Sequence, residues 1–230
     1  MKFSQNVLTA FPGICAAVGD IRSVRIAEEH PALETLKTAT IREITSRYTL
    51  EQVKDEPVFR AYRDFFWSVG VDPTKTRPAS EALARRVLAG KPLPTINTAV
   101  DAYNLASLRS GVPIGAFDAD TLSDGDLLLR FAKDGERFLG IGMKNPALLR
   151  ENQVVLTDAE TIIAIYPYRD SDATKVTPET RNIRIVTCGV PGIPREKVLE
   201  AYRLCAGYLE EYAGGIAEEA VLFSAGSLDR

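Results

Sequence analysis

The sequence predicts an α+β domain in which a mixed sheet carries helices packed mainly on one side. Three observations predict it. Apolar residues recur at helical spacing through the first half of the chain, strand-type runs dominate between residues 126 and 188, and no repeat, low-complexity run or linker divides the 230 residues. At about 100–200 residues per domain, that length suits one large domain.

The first expected element is a strand at Ile14 to Val18. Pro12-Gly13 breaks the apolar stretch from Val7 to Gly19 and only Lys2 precedes it, so the stretch does not read as a secretion signal and the expected location is the cytoplasm. Pro31 to Tyr48 sets Leu33, Leu36, Ile41 and Ile44 at helical spacing, and Pro57 to Val69 does the same with Phe59, Tyr62, Phe66 and Val69. Pro78 suits the first helical position of a third helix, whose run to Leu88 stops at Gly90 before Pro92. A fourth runs from about Asn97 to Ser110 and ends at Gly111, a residue able to take the left-handed conformation that closes helices. Strands are expected at Asp126 to Ala132, Arg137 to Ile141, Gln153 to Leu156, Thr161 to Tyr166 and Ile183 to Cys188. Pro194 opens a last helix with Val198, Ala201, Tyr202, Cys205 and Leu209 on one face; Gly214-Gly215 ends it before a strand at Ala220 to Phe223.

Composition narrows the chemistry. With 45% hydrophobic and 26% charged residues the chain is neither disordered nor membrane-spanning, and a net charge of -3 opposes binding by broad neutralisation of phosphate. His30 is the only histidine, which excludes a His-rich metal site; it precedes Pro31 and suits a helix start. Cys15, Cys188 and Cys205 are odd in number and form no C-x-x-C pair, so reduced, buried thiols are expected. No G-x-S-x-G is present, and Gly140 to Asn145 lacks the third glycine of a dinucleotide fingerprint. No cofactor or metal is expected.

Polar residues on apolar faces mark the candidate site. On a helical wheel Asn104 falls between Val100 and Leu108, Asp101 lies beside Leu108, and Ser80 sits between Ala84 and Val87 in the preceding helix. An unpaired buried polar group costs about 1–3 kcal/mol, so neighbouring backbone or a ligand must satisfy these three. A serine can instead bond the carbonyl four residues back. The polar segment from Pro167 to Thr180 holds Tyr168, Arg169, Asp170, Asp172, Thr174 and Lys175, and long loops of this kind are often functional. It is no EF-hand loop, since Lys175 replaces the required glycine and Arg181 the bidentate glutamate. Between residues 77 and 115, Arg77, Arg85, Arg86, Lys91 and Arg109 face only two acidic residues, a local excess suited to a nucleic-acid contact or to an ordinary solvated helix face.

Taken together, Arg77-Pro-Ala-Ser-Glu-Ala-Leu83, Leu93-Pro-Thr-Ile-Asn97, Val100-Asp101 with Asn104, Gly111-Val-Pro-Ile-Gly-Ala-Phe-Asp118 and Thr180-Arg-Asn-Ile183 resemble the B3/B4 domain of the phenylalanyl-tRNA synthetase β chain. The likeness covers roughly residues 77–190 and implies the B3/B4 fold, with residues 1–76 packed on it as an extension of the single domain 1–230. In the synthetase this domain is an editing site that hydrolyses tyrosine wrongly esterified to tRNA. Asn104 matches its pocket asparagine. The pocket histidine falls at Gly115, the glutamate that follows the T-x-N motif falls at Val186, and Tyr166 to Asp170 replaces a glycine-rich wall.

The resemblance therefore implies an aminoacyl-tRNA deacylase acting in trans and not selective for tyrosine. Asn104 and Asp101 would fix the amino acid, and Arg169, Asp170, Asp172 and Lys175 would close over the ester or the terminal ribose. Water, backbone N–H groups and the hydroxyl of the substrate can support such hydrolysis without a protein nucleophile. The alternative is a non-catalytic module that binds tRNA or an amino-acid-like ligand. The expected partner is the aminoacylated end of tRNA, with neither DNA nor membrane involved.

Overall fold

Two five-stranded sheets, beside a short two-stranded one, stand where the sequence suggests a single sheet and organise the structure, a computed structural model that describes residues 1–225. In chain order the elements are β1 (Lys2–Phe3), α1 (Gln5–Ala10), β2 (Cys15–Arg22), α2 (Pro31–Arg47), α3 (Pro57–Ser68), α4 (Ala79–Leu88), α5 (Thr98–Ser110) and β3 (Ile114–Asp118). There follow β4 (Leu128–Phe131), β5 (Arg137–Phe138), β6 (Ala147–Leu148), β7 (Val154–Thr157), β8 (Ile162–Ile165) and β9 (Arg169–Asp170). The chain continues with β10 (Ile183–Gly189), α6 (Arg195–Ala213), β11 (Ile216–Ala217) and β12 (Val221–Ser224).

The first sheet has the order β1-β4-β7-β8-β9 and is mixed, because β1 runs parallel to β4 while the other pairs are antiparallel. The second is antiparallel, with β10 between β2 and β3. Its β2 edge is covered in succession by β11 and β12. Helices α5 and α6 pack together and against the second sheet, and α2 and α4 pack on α5.

The five longer helices begin and end within about two residues of the expected bounds, and capping chemistry explains why. The Asn97 side chain accepts the Val100 amide at 2.9 Å to start α5, while Gly111 (φ 74°) and Gly214 (φ 63°) take the left-handed conformation that ends α5 and α6. Pro78 is the cap before α4 rather than its first residue. His30 caps α2 by backbone position, with its ring edge-on to Tyr212. The three cysteines are free and buried.

Strand bounds differ more. β2 runs on to Arg22 because Asp20, which reads as loop, lies opposite Arg184 of β10 and accepts from its guanidinium at 2.8 Å on each carboxylate oxygen. The expected strand Arg137 to Ile141 shrinks to two residues: Met143 N–H bonds the Gly140 carbonyl, so the chain turns there. β3 falls within the Gly111–Asp118 motif, where no strand is expected, and β9 lies inside the segment expected to be a loop. Among the described residues no helix is long and apolar enough to cross a membrane.

Candidate functional site

The two sheets meet at their edges, where β3 lies beside β9 and Phe117 forms a bridge pair with Lys175. Buried tyrosines fasten the same region. The Tyr166 hydroxyl, just past β8, is 3.1 Å from the Cys15 carbonyl oxygen and 2.9 Å from that of Gly189; the Tyr62 hydroxyl of α3 donates to the Cys188 carbonyl at 2.6 Å. Beside this seam is a cavity of about 490 Å³. Its walls are Tyr103 and Asn104 from α5, Gly115 and Phe117 from β3, Val186 and Cys188 from β10, and the run Tyr166 to Asp170.

The structure thus brings Asn104, Gly115, Tyr168, Arg169 and Asp170 to one cavity, although they come from three separate stretches of sequence. Asn104 is half-buried, and neither its amide nor the hydroxyls of Tyr103 and Tyr168 has a hydrogen-bond partner among the described residues. Space at Gly115 is tight. A Cβ there would stand 3.0 and 3.1 Å from the Phe117 ring and 3.3 Å from Asp170 Oδ1. Gly115 is also the direct cross-strand partner of Val186, so two positions without polar side chains adjoin at this wall.

Asp170 supplies the charge at this wall. Its Oδ2 accepts the Ala116 amide at 3.2 Å, whereas Oδ1 has no partner among the described residues. Burial raises the carboxyl of the partly covered Asp170 from 3.8 to about 7, against the opposing pull of the Ala116 N–H. Burial, with the Asp170 charge adding to it, also raises the Tyr103 hydroxyl and the Cys188 thiol far above neutrality. Cys188 therefore stays protonated and is no nucleophile. No cluster of His, Cys, Asp and Glu able to hold a metal occurs among the described residues.

Other expected site residues lie elsewhere. Asp101 is 3% exposed and faces α2, where Lys37 Nζ donates to it at 2.5 Å and also to Glu34 at 2.6 Å and Thr95 at 3.2 Å. Its second oxygen accepts the Ile96 amide at 3.1 Å, so Asp101 fixes the start of α5 and does not line the cavity. Ser80 is fully buried, and its hydroxyl bonds neither the preceding turn nor any other group described. Asp172 and Lys175 pair with each other at 2.8 Å outside the cavity, and the buried Thr174 hydroxyl is unpartnered.

A second cleft, about 480 Å³, runs along α4 and shares Ala79, Tyr168 and Arg169 with the cavity. Lys75, Arg77, Arg85, Arg86 and Lys91 line it. Arg85 is bound to the buried Glu81 at 2.7 Å and Arg86 to the Pro92 carbonyl at 2.5 Å, while Arg77 and Lys91 are exposed with no carboxylate partner among the described residues. Arg109 is apart from this group: it pairs with Glu43 at 3.1 Å and donates to the Tyr208 hydroxyl in a cleft with Arg47 and Lys197. At the far end of α5, it cannot join a surface built on α4.

Two residues escaped sequence reasoning. Tyr103 neighbours Asn104 but reads as ordinary core, and only the fold shows that it fronts an open space. Lys37 had a signal, since it stands four residues from Leu33 and seven from Ile44, in the apolar stripe of α2. A lysine there needs a buried acid, and Asp101 is that acid.

With this geometry in place, relatives are recognisable. A sequence model described as the B3/4 domain matches residues 61–214. The phenylalanine-tRNA ligase beta subunit of Bacillus cereus is 25% identical over 218 residues, covering 84% of this chain and 26% of the relative. The corresponding subunit of Gloeobacter violaceus is 36% identical over 107 residues, covering 46% and 13%. The chain thus spans about a quarter or less of the length of these relatives. An N-terminal fragment of the phenylalanyl-tRNA synthetase beta subunit from Pyrococcus horikoshii superposes with a TM-score of 0.54 at 15% identity, covering 94% of this chain and 49% of that one. That likeness is one of fold.

Proposed function

Since the chain belongs to the B3/4 domain family, we propose that it hydrolyses an aminoacyl ester on charged tRNA, acting in trans and in the cytoplasm. The observation that carries this reading is the junction of two spaces at Ala79, Tyr168 and Arg169: a cavity of amino-acid size with unpartnered polar groups, and a cationic cleft suited to phosphate. Ahead of the matched segment, residues 1–60 supply β2, which pairs with β10, and α2, which packs on α5.

In this reading the amino acid enters the cavity while Arg77 and Lys91 hold the RNA backbone. The Asn104 amide orients the ligand, Asp170 marks the acidic wall, and Arg169 stands where the two spaces join. Hydrolysis adds water across the ester, releasing free amino acid and restoring the ribose hydroxyl. Burial raises the Cys188 thiol and makes it a poor nucleophile, so in this reading a held water and the vicinal hydroxyl of the substrate act in its place.

The test is release of free amino acid from a panel of charged tRNAs, with binding followed in parallel. Turnover beyond one equivalent, without preference for the tyrosyl ester, is expected. A second reading, a binding module without catalysis, draws on Gly115 and Val186, which leave the family's histidine and glutamate positions without polar side chains. Stoichiometric binding with no release on any charged tRNA selects that reading and removes the first.

A further inference from the structure

The cavity joins one carboxylate to several aromatic side chains. Tyr103, Phe117, Tyr166 and Tyr168 all contribute to its wall, and Asp170 presents an unpartnered Oδ1 beside them. Aromatic faces attract cations through the negative potential of the ring, and a carboxylate withdrawn from water gains most from a cation that replaces its hydration. Among the described residues no cation fills this role: Arg169, the preceding residue, donates to the Ile141 carbonyl at 2.8 Å, and Lys175 is taken by Asp172.

We infer that Asp170 is the counter-ion for an ammonium group of the ligand, held between its Oδ1 and the surrounding aromatic rings. The proposal deepens the aminoacyl reading above and rests on it. Either of two ammonium groups fits this chemistry, the α-ammonium of any aminoacyl ester or the side-chain ammonium of a basic amino acid. The site differs from what the family pattern supplies: the acid stands on β9, across the seam from Gly115 and Val186, with its Oδ1 3.3 Å from where a Cβ at position 115 would stand.

Titration follows from the surroundings of the carboxyl. β3 presents Gly115, Ala116 and Phe117, none of which ionises; α5 presents Tyr103 and β10 presents Cys188, both held neutral by burial. Arg169 and the Asp172–Lys175 pair flank it along its own segment. With its carboxyl near 7, Asp170 is mostly protonated at pH 5.5 and must release a proton to take up an ammonium ion. Affinity should therefore rise about tenfold from pH 5.5 to 7.0, a window that keeps the α-amine of the probes protonated.

The experiment is calorimetric titration of the whole chain with four uncleavable probes: L-lysinamide, L-norleucinamide and their Nα-acetyl forms. If the α-ammonium is the ligand, lysinamide and norleucinamide bind and both acetyl forms fail. If the side-chain ammonium is the ligand, lysinamide and Nα-acetyl-lysinamide bind and norleucinamide fails. In either case Asp170→Asn should weaken binding at least tenfold at pH 7.0 and abolish its pH dependence, and Tyr103→Leu should weaken it in a chain whose melting is still cooperative. Equal binding of Nα-acetyl-norleucinamide, undiminished binding by Asp170→Asn, or no binding of any probe at millimolar concentration overturns the proposal. None of these results bears on release of amino acid from charged tRNA, so failure here and failure of the hydrolytic reading are separately visible.

Discussion

Gly115 and Val186 face each other as direct partners in the ladder between β3 and β10, and the Phe117 ring folds back over the glycine from two residues along the same strand. The Phe117 ring takes up the room beside the glycine. Restoring a larger residue is therefore an intrusion. Gly115→Ala should cost about 1–3 kcal/mol, the usual penalty of overpacking a tight site, with Gly115→His costing more because Asp170 must also move. The denaturant midpoint would fall with an unchanged slope; a midpoint like that of the parent chain would mean that Phe117 yields freely.

The Lys37–Asp101 pair is buried on both sides, at 5% and 3% exposure. Burial works to lower the Lys37 pKa, but its bonds to Asp101 and Glu34 outweigh that and hold the ammonium charged. Lys37→Met strands the buried Asp101 carboxylate and should destabilise by about 3–5 kcal/mol, whereas Asp101→Leu should cost less because Lys37 keeps Glu34. The double variant should recover a large part of that loss. A double-mutant cycle in urea measures it, and simple additivity of the two losses would show that the charges do not interact.

Cationic residues of the α4 cleft differ in freedom, and tRNA binding should reflect it. Arg77→Ala with Lys91→Ala should lower the slope of log affinity against log salt by about 1.5, as expected for two lost phosphate contacts. Arg109→Ala, on the other cleft, should leave the slope unchanged. Filter binding between low and moderate salt separates the two, and a shift caused by Arg109 alone would place the RNA at the opposite end of α5.

Stability should also depend on Asp170 with a definite sign. Its carboxyl stands near 7 in the folded chain, above the ordinary value of 3.8, so between these values the folded state binds more protons than the unfolded one. This group therefore makes the protein less stable as pH rises from about 4 to 7. Asp170→Asn should reduce that decline, most visibly in melting temperatures compared at pH 5 and pH 8. An identical decline in the variant would assign it to other groups.

Local chemistry made much of this legible from sequence. Asn97, Gly111 and Gly214 mark helix ends through bonds and backbone angles within a few residues, and helical spacing placed Asn104 on a partly buried face. What stayed hidden depends on partners far along the chain. Asp20 belongs to a strand because Arg184 lies opposite, and Asp101 avoids the cavity because Lys37 meets it from α2. β3 was obscured by Pro113 and Gly115, residues that read as turn until β10 pairs with the strand. Arg109 and Arg77 are both basic and close in sequence, yet α5 carries Arg109 to another face.

At the seam no continuous ladder of backbone bonds joins β3 to β9; the bond from the Ala116 amide to the Asp170 carboxylate spans it, helped by the Phe117–Lys175 bridge pair and the Tyr166 hydroxyl. A guest lodged between the sheets becomes a cross-link, suppressing the local opening that lets solvent reach them. The Ala116 N–H is then a built-in reporter. Its deuterium uptake should slow with occupancy while amides in the middle of α6 keep their rate, so that the molecule itself signals whether anything has entered.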